Sequence, residues 1–166
     1  MPRSPPGADL DPMSTPLVVL TVATAIASAT VGGVFFAFST FVMPALRRLP
    51  PAQGMAAMQS INVTALRPPL MLLMFGAMLA SVALVVAGVV DRSPWLLAGA
   101  AVYLVGAIVV TAAYNVPRNI ELAALDPASP DAAARWPAWV SEWNAGNHVR
   151  TIAGVAAAAL LLRAVL

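Results

Sequence analysis

Residues 17–43 read LVVLTVATAIASATVGGVFFAFSTFVM, 27 consecutive positions without a charged side chain. As a helix at ~1.5 Å per residue the run is about 40 Å long, more than a ~30 Å hydrocarbon core requires. Its residues do not alternate with period two, and a membrane strand needs only ~10 of them, so the run is a helix and not a barrel strand. Ala27-Ser28-Ala29 resembles the cleavage site of a secretory leader. However, the segment ahead of the run carries two Asp against one Arg, and the run continues well past that point.

Three further apolar runs follow. Pro68-Pro69 can open a second span, because a proline in the first helical turn gives up an N–H that has no partner there. That span extends without charge to Val90, and Asp91-Arg92-Ser93-Pro94 is a tight turn into a third, which Pro117 stops or kinks. The predicted spans are about 17–43, 68–90, 95–116 and 147–166, within a membrane domain 16–166 that follows a disordered, proline-rich tail, 1–15. Between the first two spans, 51–66 reads as a short amphipathic helix bearing Gln59 and Asn62. In loop three, Ser129-Pro130-Asp131 reads as the capped start of another. The expected fold is all-α: a four-helix transmembrane bundle with short amphipathic helices in loops one and three. In the first span Ala25, Ala29 and Gly33 fall four apart, as do Ser28 and Gly32, a spacing that lets helix backbones approach closely.

Composition agrees. The chain is 60% hydrophobic and 10% charged, against roughly 25% charged in soluble domains. A net charge of +2 is too small and too scattered for a nucleic-acid surface. The absence of cysteine excludes disulfides, zinc ribbons, iron–sulfur clusters and thiol catalysis. The partner is the lipid bilayer, and a bacterial inner (plasma) membrane is expected. Loops one and three carry Arg47, Arg48, Arg67, Arg118, Arg135 and Arg150 against Arg3, Arg92 and Arg163 on the other side, which predicts both loops to be cytoplasmic.

Polar side chains have no use on a lipid-facing helix, so their placement marks the candidate site. Thr111, Tyr114, Asn115 and Arg118 follow the spacing i, i+3, i+4, i+7 at the end of span three, and Asn144, Asn147, His148 and Thr151 repeat it at the start of span four. Both stripes, with Arg67, meet at one membrane boundary. Arg150 and Arg163 are only 13 residues apart, about 20 Å of helix, so both heads cannot lie fully in water without long snorkelling. Arg150 is expected to face inward with partners, the alternative being that loop three dips inward and hydrates it. His148 is the only histidine. It reads either as a structural residue bonded to an Asn or as a proton acceptor, its usual pKa near 6.5 suiting that task. No spacing of metal ligands is present, so no metal and no cofactor are expected. Trp136, Trp139 and Trp143 share one face and read most simply as an interfacial anchor, with ligand stacking as the alternative. Phe35, Phe36, Phe38 and Phe41, with Met71, Met74 and Met78, are either lipid-facing and packing residues or the wall of an apolar pocket for a flat hydrophobic ligand.

At these residues the chain resembles the small four-helix membrane proteins related to anthrone oxygenase. The resemblance is carried by GVFFAFSTFVMPAL (33–46), AMQSIN (57–62), NVPRN (115–119), WN (143–144) and NHVRT (147–151), and it covers roughly 17–166. It implies a cofactor-independent monooxygenase that uses O2 to turn an anthrone-like aromatic polyketide into a quinone. The family offers no established catalytic residues to carry over, so roles are assigned from chemistry. The reaction needs a base, donors for a developing oxyanion and a dry aromatic pocket. His148 is the candidate base, and Arg150, Asn115 and Asn147 are the candidate donors. Phe35, Phe38, Tyr114, Arg118, Arg67 and Trp143 are candidates for holding the substrate. The alternative is a non-catalytic membrane protein that binds a small lipophilic molecule or assists a membrane partner.

Overall fold

The computed structural model describes residues 13–166. The expected tail, 1–15, lies largely outside the described residues. Five helices make up the rest: α1 (Thr15–Arg48), α2 (Pro51–Ala65), α3 (Pro68–Val90), α4 (Pro94–Ala124) and α5 (Pro130–Val165). All but α2 are long and apolar enough to cross a membrane, and the chain is a multi-pass membrane protein. Every helix starts with a proline at its first or second position, where a missing N–H is free of penalty. Ser129 caps α5, accepting from the Ala132 N–H at 3.1 Å.

Two prolines inside spans are accommodated by wider, π-helical turns. Phe38–Val42 precedes Pro44, and Thr111–Asn115 precedes Pro117, with a third such stretch at Tyr103–Val109. A proline ring crowds the carbonyl four residues back and offers it no N–H. A π turn moves that carbonyl aside. Pro117 therefore neither stops α4 nor opens a loop, and the helix continues to Ala124. In the same way, the short helix starting after Ser129 and the fourth span are one continuous helix. Its 36 residues measure about 54 Å against a ~30 Å core. Its first four turns accordingly stand outside the hydrocarbon, where they form a cap with α2 and the end of α4.

The three tryptophans of this cap are not an interfacial anchor. Trp136, Trp139 and Trp143 are 2%, 0% and 5% exposed, packed with Met43, Met55, Met58 and Leu122. Their rings stack in series at 5.5 and 6.1 Å. The face they share is turned inward because α2 folds over it. Gln59 fixes that fold by donating to two carbonyls at the end of α4, that of Leu122 (2.8 Å), which also accepts from the Leu125 N–H, and that of Leu125 (3.0 Å). The exposed indole is Trp95 at the opposite end, beneath the Arg163 guanidinium.

Within the membrane, α1 packs most extensively against α5. The crossing point is Gly32 against Gly154, with Ser28 beside it. Of the two small-residue stripes, Ser28 and Gly32 with Ala25 form the contact, whereas Ala29 and Gly33 are exposed.

Candidate functional site

Just below the cap, all five helices contribute to an apolar cavity of about 290 Å³. Phe35 and Phe38 wall it from α1, Met58 and Ile61 roof it from α2, Met71 and Met74 come from α3, and Trp143 closes its inner side. Of the four clustered phenylalanines, Phe35 and Phe38 face inward, while Phe36 and Phe41, on the other side of the helix, are exposed. The rim formed by Leu66, Phe75 and Val116 is exposed on the outside of the bundle, so the cavity opens sideways between α2, α3 and α4.

The polar groups lining this cavity are few: Asn62, Thr111, Asn119 and Arg150. Arg150 is 5% exposed. Its Nη2 donates to Asn147 Oδ1 at 2.6 Å and its Nη1 to Thr111 Oγ1 at 3.3 Å. Its guanidinium carbon lies 4.1 Å from the centre of the Phe35 ring and 5.2 Å from that of Trp143. Among the described residues no carboxylate pairs with it, and its Nε has no partner.

Asn147 does not line the cavity but holds Arg150 in place. Fully buried, it donates from Nδ2 to the Phe35 carbonyl (2.6 Å) and to Ser39 Oγ (2.7 Å), tying α5 to the π turn of α1. Its carbonyl end is thereby turned toward Arg150. Asn115, also fully buried, donates to the Trp143 carbonyl at 3.0 Å and pins α4 to α5. Trp143 donates through Nε1 to Asn119 Oδ1 at 2.7 Å, which orients the Asn119 amide with its NH2 left free.

The other expected site residues lie elsewhere. His148 is exposed and opens onto a separate cavity, with Asn144 Nδ2 3.3 Å from its Nε2. Tyr114 and Arg118 form an outer pair, the guanidinium stacked 3.5 Å above the ring, and Trp139 donates to the Arg118 carbonyl. Arg118 also faces Glu142 at 3.5 Å. Glu142 in turn is bound by Arg135, which bridges to Glu121 as well, and this guanidinium holds the Glu142 carboxyl below the usual carboxylate range. Arg67 is an exposed residue at the start of α3. The two polar stripes thus resolve into a buried group around Arg150 and Asn147 and an outer group at the cap surface. Sequence reasoning passed over Asn119 and Asn62 as site residues, although Asn119 lies one helical turn beyond Asn115. Among the described residues no cluster of potential metal ligands occurs.

A family model described as anthrone oxygenase matches residues 60–160, well over half of the chain. No curated protein and no solved structure matches it.

Proposed function

Because this chain belongs to the anthrone oxygenase family, we propose that it binds a flat, lipophilic aromatic ketone in the apolar cavity and oxygenates it with O2, without metal or organic cofactor. The observation that carries this reading is Arg150, a buried cation with no carboxylate partner among the described residues, facing an apolar cavity walled by aromatic rings. An unpaired charge in so dry a site favours a ligand that can become an anion there. An anthrone-like ketone does so by losing a proton from the methylene between its rings, leaving an enolate whose oxygen meets the guanidinium. The electron-rich carbon then adds O2 and takes up a proton to give a hydroperoxide. Loss of water leaves the new carbonyl, so one oxygen atom of O2 enters the product and the other leaves as water.

In this scheme Arg150 holds the oxyanion, Asn147 and Thr111 position Arg150, and Phe35, Phe38 and Trp143 hold the rings. Asn115 sets the height of Trp143. Tyr114, Arg118 and Arg67 have no contact with ligand, and His148 gives no proton path into the cavity. The guanidinium favours the enolate over the neutral ketone, so the methylene proton is released to bulk solvent with no residue of the lining acting as its base. Loops one and three are assigned to the cytoplasmic side. Cysteines introduced near Asp126 should be shielded from membrane-impermeant thiol reagents in intact cells, and labelling there would reverse the orientation.

Binding without turnover is the second reading, favoured by one observation: among the described residues no carboxylate and no histidine line the cavity. Oxygen uptake by the purified protein with an anthrone, followed together with quenching of tryptophan fluorescence, separates the two. Uptake with quinone formation above the rate of the anthrone alone is the expected result. Quenching without uptake would establish the binding reading, and neither signal would refute both.

A further inference from the structure

We propose that the second cavity is a binding site for the phosphate headgroup of an anionic phospholipid. This cavity, about 640 Å³, lies on the other side of α1 and α5 from the apolar one and is lined by Arg47, Arg48, Ser141, Asn144 and His148, with Met43 as its floor. The inference is independent of the oxygenase reading.

The first argument is charge. Glu121 and Glu142 are already engaged by Arg135 and Arg118, and neither lines the cavity. Asp126 accepts from the Ala128 N–H in the loop below α4 and is likewise absent from the lining. Among the described residues Arg47 and Arg48 therefore have no acidic partner, and both are exposed. The second argument is the donor set. Asn144 Nδ2 approaches the Ser39 carbonyl at 3.4 Å, an acceptor only, so this amide also donates to His148 Nε2. The ring's Nδ1–H is left as the free donor. Two guanidinium forks, a hydroxyl and an imidazole N–H around one cavity outnumber the acceptors of a carboxylate and match the several oxygens of a phosphate. The third argument is position. The arginines form the last turn of α1, at the membrane boundary. Phe41, seven residues earlier on α1 and exposed, offers an apolar ring to the acyl chains of a lipid whose headgroup is at Arg48.

The test follows heat unfolding of the full chain in detergent by tryptophan fluorescence, with short-chain phosphatidylglycerol, short-chain phosphatidylcholine or inorganic phosphate added. Phosphatidylglycerol in hundredfold excess over its Kd should raise Tm by roughly 5 °C. Phosphatidylcholine, whose choline cation opposes the arginines, should raise it far less. Arg47→Gln/Arg48→Gln should lose most of the response. Should the double variant unfold, native mass spectrometry of the wild type and of Arg48→Gln serves instead, with fewer retained phosphatidylglycerol adducts expected in the variant. Equal shifts by both lipids, a full shift by inorganic phosphate alone, or variants that respond like the wild type would each overturn the proposal.

Discussion

Arg150→Met should leave the bundle folded and abolish most of the proposed oxygenation. Removing one preorganised donor from a developing oxyanion typically lowers turnover about 10²–10³-fold, and among the described residues Arg150 is the only cation lining the apolar cavity. Methionine fills a similar volume, and losing a buried, unpaired charge removes its desolvation penalty. Against this, Asn147 Oδ1 loses the donor it receives at 2.6 Å. A newly unsatisfied buried acceptor costs about 1–3 kcal/mol, so the net change in stability should be small. Arg150→Lys is the sharper comparison. It keeps the charge but cannot serve Asn147 and Thr111 from one planar fork while stacking on Phe35. Its kcat should fall, with KM for the ketone less affected. Steady-state oxygen uptake and a thermal melt on each variant measure both quantities. Wild-type turnover in Arg150→Met would remove the guanidinium from the mechanism.

The largest structural effect is expected at the helix crossing. A Cβ on Gly154 would lie 2.7 Å from Gly32 Cα and 2.9 Å from the Ser28 carbonyl oxygen. These are backbone atoms, so relief requires α1 to move as a body. Gly154→Leu should therefore destabilise by at least the ~1–3 kcal/mol usual for overpacking. The displacement also reaches the site, because Asn147, two turns away on α5, anchors to Phe35 and Ser39 of that same α1. Ligand binding should weaken along with Tm. Gly33→Leu is the control: a Cβ there meets nothing within 4 Å, and its effect should stay within about 0.5 kcal/mol. Equal melting temperatures for the two variants would mean that α1 and α5 do not cross where the glycines meet.

Much of this was legible from residue type and spacing. Uncharged runs specify spans, and the 13 positions separating Arg150 from Arg163 point to an inward-facing Arg150, which is buried. Two features depended on information that spacing does not carry. One is the set of π turns. Each extra residue rotates the following side chains by about 100°, so the stripe Thr111, Tyr114, Asn115, Arg118 does not remain one face. Thr111 reaches the cavity while Tyr114 and Arg118 turn outward. The other is long-range packing. Whether three tryptophans on one face meet headgroups or a protein core depends on α2 folding over them, through a Gln59 contact that spans more than sixty positions. His148 shows the limit of a stripe four residues wide, since it flanks Asn147 in sequence yet opens on the opposite side of the crossing.

The sideways opening past Leu66, Phe75 and Val116 changes what concentration means for this protein. On the proposed function, the lipophilic ligand enters there from the surrounding leaflet, so its occupancy follows its mole fraction among the lipids and not its molarity in water. Partitioning has then already removed the ligand's hydration shell before it reaches the rings. Affinity inside the cavity is left to reflect shape and the guanidinium more than the hydrophobic effect, and at constant total ligand, additional bilayer acts as a diluent.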